Sequence, residues 1–95
     1  MKITERFLKY VSFDTTSDED SPSTPSTEKQ KALGAFLADE LKSIGLEEVR
    51  MDEYGYVYGY LPATEDRKDD ATVGLIAHMD TSPAVSGTDI KPRII

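Results

Sequence analysis

The chain contains a single histidine, and an aspartate stands two places after it. His78 and Asp80 close the run Val73-Gly74-Leu75-Ile76-Ala77 and lead into Thr81-Ser82-Pro83. A neutral imidazole nitrogen is a good metal ligand. A neighbouring carboxylate can ligate as well, or accept the ring's other N–H, fixing the tautomer and raising the ring's basicity. A metal site is therefore the most natural chemistry for this pair, with His78 as a ligand. Zinc catalysis needs three or four protein ligands and a position left for water. A plain structural hydrogen bond is the competing reading of the same two residues.

Other chemistries fit less well. Asp80-Thr81-Ser82 after an apolar run is similar to the Asp-Thr-Gly/Ser motif of aspartic proteases, where two carboxylates share one proton. A homodimer would supply the second aspartate, but that fold is all-β and this chain carries a strong helix before the motif. Only fifteen residues follow Asp80, too few for a half-barrel. A Ser-His-Asp hydrolase would need an elbow such as Gly-x-Ser-x-Gly, and the sequence has none. It has no glycine-rich phosphate loop either.

The elements that must position the pair are readable in outline. The five-residue apolar run suits a strand buried on both faces. Period-two geometry then places His78 and Asp80 on one side of that strand's carboxyl end, where α/β sheets gather their ligands. Ile3, Phe7, Leu8 and Val11 recur at helical spacing and predict an amphipathic helix of about three turns. From Phe13 to Pro25 small polar residues, acids and prolines predict a solvated loop, without the glycine and closing glutamate of a calcium loop.

Thr27 and Gln30 match a capping box, which opens a helix expected from Thr27 to Ile44 with Leu33, Phe36, Leu37, Leu41 and Ile44 on its apolar face. Gly45 stands where a helix stop belongs. Val49 and Met51 alternate with charged residues, Glu53-Tyr54-Gly55 is turn-like, and Tyr56 to Leu61 is rich in strand formers: a β-hairpin. Aromatic strand packing explains the four tyrosines between Tyr54 and Tyr60 better than base stacking, because no basic groove surrounds them. Pro62 to Thr72 is a charged connection, Thr81 to Asp89 a small-residue loop, and Ile90 to Ile95 begins something strand-like. The fold class is α/β: two helices, a hairpin and a central strand of a mixed sheet.

Composition sets the outer bounds. Ninety-five residues allow one small domain with a modest core. Eighteen acidic against eleven basic residues give a net charge of −7, which repels nucleic acid and anionic membranes alike. With no cysteine, thiolate ligands and disulfides are excluded, and a cytoplasmic setting is the default expectation. No stretch approaches the roughly 20 apolar residues of a spanning helix.

Several separated stretches together resemble the N-terminal part of the peptidase T family, tripeptide aminopeptidases in the zinc metallopeptidase superfamily of carboxypeptidase and aminoacylase type. They are Glu5-Arg6-Phe7-Leu8-Lys9-Tyr10-Val11, Phe13-Asp14-Thr15-Thr16-Ser17, Gly55 to Ala63, and Gly74-Leu75-Ile76-Ala77-His78-Met79-Asp80-Thr81-Ser82-Pro83. The resemblance implies that residues 1–95 are a partial catalytic domain of an α/β enzyme several times longer. It implies that His78 is a zinc ligand and Asp80 a catalytic residue that orients and polarises it. It implies two zinc ions per full-length subunit, with the further ligands and the glutamate base in later sequence. A tripeptide would be the substrate, and this piece alone would be inactive. The apolar pair at the end of the chain supports the same expectation of a longer protein. Without downstream cover for residues 73–77 the isolated chain is expected to self-associate. The rival expectation is a non-catalytic α/β interaction module in which His78 and Asp80 merely hydrogen-bond.

Overall fold

Two helices and one hairpin carry the regular structure of the computed structural model, which describes residues 1–95: α1 (Ile3–Tyr10), α2 (Gln30–Ser43), β1 (Glu47–Met51) and β2 (Val57–Tyr60). The fold is a small α/β arrangement, as the sequence pattern predicts. A short 3₁₀ turn at Glu65–Arg67 follows within the charged connection.

Helix α2 is the centre of the packing. Leu33 and Ala38 on its inner face are the buried apolar side chains, and Gly34 lets the hairpin approach. A Cβ on Gly34 would meet Met51 Sδ at 2.8 Å and the Gly55 carbonyl at 3.4 Å. The helix stops as its sequence directs. Gly45 takes φ +97°, Gly45 N–H donates to Lys42 O at 3.1 Å, and Leu46 N–H donates to Leu41 O at 3.1 Å. These are the two bonds that close a helix through a left-handed glycine.

The start of α2 differs from expectation. Helical hydrogen bonding begins at Gln30, not Thr27, and the capping box does not form. Thr27 Oγ1 instead donates to Thr16 O at 2.8 Å, and Gln30 Nε2 donates to Thr27 Oγ1 at 2.9 Å. The tertiary bond to the preceding loop outcompetes the local cap.

Strands β1 and β2 pair antiparallel, with Arg50 opposite Tyr58 and Met51 opposite Val57. The register shifts between Glu47 and Arg50, where Glu48 adopts φ 52°, the mark of a bulge. Asp52 organises the turn: its Oδ1 accepts the N–H groups of Tyr54 and Tyr56 at 3.0 and 2.9 Å. The tyrosines stay largely in solvent; the Arg50 guanidinium lies 4.1 Å from the ring centroid of Tyr58 across the hairpin.

Helix α1 lies against the outer side of α2. The Tyr10 and Phe13 rings meet Phe36 at 6.2 and 5.6 Å between centroids. Glu40, largely buried, accepts a hydrogen bond from the Tyr10 hydroxyl and pairs with Arg6 at 3.0 Å. Ile3 and Phe7 remain exposed, so α1 buries only part of its apolar face.

The central strand is the principal correction. Residues 73–77 pair with no other segment, and Leu75 and Ile76 are 94% and 100% exposed. The apolar pattern demands neighbours on both faces, and neither the hairpin nor α2 provides them. Ile90 to Ile95 forms no strand either. The radius of gyration, 15.7 Å, exceeds the about 13 Å expected of a self-contained domain near this length.

Candidate functional site

His78 and Asp80 do meet, although not at the end of a paired strand. His78 Nδ1 lies 2.9 Å from Asp80 Oδ1. A carboxylate only accepts, so this bond places the ring proton on Nδ1 and leaves the Nε2 lone pair outward. The His78 side chain is 84% exposed and that of Asp80 42%. The pair thus presents one oriented nitrogen to solvent.

What holds the pair is a strip that the sequence pattern had assigned to a solvated loop. Thr81, next to Asp80, forms a parallel bridge with Thr16. Its N–H donates to Thr15 O at 3.0 Å, and its carbonyl accepts the Ser17 N–H and hydroxyl, each at 2.9 Å. Thr15 is buried at the centre of this join. Gly87 closes it from the other side, its N–H donating to Thr16 Oγ1 at 3.1 Å. A Cβ on Gly87 would lie 2.6 Å from Thr16 Oγ1 and 2.8 Å from Asp14 Oδ1, so a side chain there would displace these groups.

Asp14 sets the conformation of the strip. Its Oδ1 accepts the Thr16 N–H at 3.1 Å and hydroxyl at 2.7 Å, and its Oδ2 accepts Lys29 Nζ at 2.9 Å. The Lys29 ammonium first, then the two Thr16 donors, hold the Asp14 carboxyl down to about 2. Asp18, Glu19 and Asp20 stay exposed, as expected of the loop. An Asp-x-Thr turn is a local signal, because aspartate commonly bonds the backbone two residues on. The Lys29 and Thr81 partners had no such signal.

Two hollows flank the pair. A cleft of about 250 Å³ has Gln30, Lys31, Tyr54 and Tyr56 along its walls, with His78 and Asp80 at its rim. A larger apolar groove of about 570 Å³ runs past Phe7, Phe13, Leu37, Val85 and Ile90 on to His78.

The donor set offers one imidazole nitrogen to a cation and no more. No three histidine or acidic side chains come together in a way that could hold a metal ion. His78 Nε2 is free to ligate and Asp80 orients the ring, so the pair supplies one ligand and a zinc site needs at least two more. No helix is long and apolar enough to cross a membrane.

No family model matches the chain. Individual proteins do. It is 56% identical over 94 residues to a protein named Peptidase T from Caldanaerobacter subterraneus subsp. tengcongensis, covering 99% of this chain and 23% of that protein. Peptidase T of Halothermothrix orenii is 51% identical over the same coverage. That of Parabacteroides distasonis is 50% identical over all of this chain and 23% of its own length. The chain therefore spans about a quarter of the relatives it matches, and throughout its 95 residues it corresponds to the N-terminal portion of peptidase T.

Proposed function

We propose that this chain is the N-terminal segment of a zinc-dependent tripeptide aminopeptidase, with His78 as a zinc ligand and Asp80 as the residue that orients and polarises it. The observation that carries the reading is the 2.9 Å contact of His78 Nδ1 with Asp80 on an exposed ring, which leaves Nε2 available. The sequence match to peptidase T supports it.

In this reading Asp80 keeps the ring proton on Nδ1 and, by accepting it, raises the electron density that Nε2 offers. Zinc, when bound, would supply an acidified water and a Lewis acid for the scissile carbonyl. The further ligands and the base would come from sequence matching the remaining three-quarters of the relatives. Residues 1–95 alone are inactive, because one histidine and one carboxylate do not hold the metal. The rival reading, an interaction module with a structural His–Asp pair, sits poorly with a ring 84% exposed, since such a bond holds nothing else in place.

The test joins residues 1–95 to the remainder of a peptidase T. His78→Ala is expected to remove zinc-dependent release of the N-terminal residue from a tripeptide, and Asp80→Asn to lower it by about 10- to 100-fold. Full activity in His78→Ala would overturn the reading, as would zinc-dependent release by the 95-residue chain alone.

A further inference from the structure

His78 and Asp80 sit at the end of a segment that has no strand pairing of its own. Residues 73–78 are exposed and unpaired, and the first anchored position after them is Thr81. The anchor is the three-residue strip Thr15 to Ser17, which takes Thr81 on both its N–H and its carbonyl. That strip is itself shaped from behind. Asp14 folds Thr16 onto one of its oxygens through two bonds and ties the other to Lys29, in the turn that precedes α2. Thr27 adds a third tie from the same turn, donating to Thr16 O. The route from α2 to the imidazole is thus continuous: Lys29, Asp14, Thr16, the bridge to Thr81, then Asp80 and His78.

We propose that Asp14 is a positioning residue for the His78–Asp80 pair, acting through Thr16 and Thr81. The Asp14 carboxylate touches neither the ring nor the cleft beside it. Its effect is on the direction in which the chain leaves Thr81, and hence on whether the Asp80 carboxylate reaches Nδ1. Without the Asp14 bonds, Thr16 loses the turn that presents Thr15 O and Ser17 N–H to Thr81. The tip then samples orientations in which Asp80 and His78 part, and the ring proton is free to move to Nε2, blocking the nitrogen that faces outward. The consequence for a reaction rests on the reading of His78 as a ligand; the positioning itself does not.

One histidine in the chain makes the measurement direct. Long-range ¹H–¹⁵N spectra of the labelled 95-residue chain, recorded with the ring neutral, report which ring nitrogen carries the proton. Wild type is expected to show Nδ1 protonated. Asp14→Ala and Thr16→Val are expected to exchange the two ring shifts, giving mainly Nε2–H, while Thr16→Ser, which keeps the hydroxyl, retains the wild-type pattern. Amide shifts of α2 and β1 accompany each variant and must stay in place. An unchanged ring spectrum in Asp14→Ala and Thr16→Val overturns the proposal. So does loss of the α2 and β1 signals, because a residue that holds the whole fold is not a positioning residue. The experiment uses neither metal nor substrate. A zinc reading that fails in the activity test leaves this result standing, and the reverse also holds.

Discussion

Ser17 donates both its backbone N–H and its hydroxyl to the carbonyl of Thr81, each at 2.9 Å, across 64 positions of sequence. This junction ties the two ends of the chain together one residue away from Asp80. Loops joined in this way lose entropy that only specific bonds recover, so the strip from Asp14 to Ser17 is a structural element despite its polar composition. The acidic residues just beyond it, Asp18 to Asp20, remain in solvent and fit the ordinary description of a loop.

Acid should loosen the junction through Asp14. Its folded-state pKa of about 2 lies below the ordinary 3.8, because the Lys29 ammonium and the two Thr16 donors favour the ionised form. A depressed carboxylate contributes stability that is complete above 3.8 and disappears as the pH falls through about 2. Urea midpoints measured against pH are expected to separate wild type from Asp14→Asn near neutrality. The two curves should converge below 3.8. Both partners are partly exposed, so added salt should narrow the gap. Parallel curves across that window would show that Asp14 contributes nothing through its charge.

Elements fixed by local chemistry were legible in the sequence. Gly45 ends α2 because glycine alone takes φ +97° freely, and that requirement shows in the residue itself. The hairpin was legible from alternation and from Glu53-Tyr54-Gly55, and the His78–Asp80 contact from spacing alone, since residues two apart on extended backbone share a side. The helix start was not. Thr27 looked like a cap, but its hydroxyl is taken by Thr16 O, a partner eleven residues earlier that no capping rule anticipates. Residues 73–77 were legible as apolar and misjudged as buried, because composition states what a segment needs and not whether this chain contains it. The Asp14–Lys29 and Thr16–Thr81 contacts depend on the fold having already formed, which is why composition read the strip as solvated.

Gly45→Ala tests the helix stop without a packing change. No atom lies within 4 Å of the added Cβ, so the cost is backbone strain alone. A non-glycine residue held in the left-handed region costs on the order of 1–3 kcal/mol. The variant is expected to lower the urea midpoint accordingly while leaving the His78 ring spectrum intact, since the helix end and the Thr81 junction share no bonds. Unaltered stability would mean that the helix can end another way.

Leu75 and Ile76 pose the last question, because 94% and 100% exposure on adjacent side chains is unusual for residues of their kind. An unpaired apolar segment with strand-forming residues is a template for another chain. In a purified solution the available partner is a second copy of the same segment. Sedimentation velocity over a range of concentrations is expected to show reversible self-association of the wild-type chain. Leu75→Glu combined with Ile76→Glu should abolish it through repulsion between the paired segments. The same substitutions should change monomer stability by no more than about 0.5 kcal/mol, as surface replacements do. A concentration-independent monomer in the wild type would show that exposure of residues 73–77 carries no drive to pair.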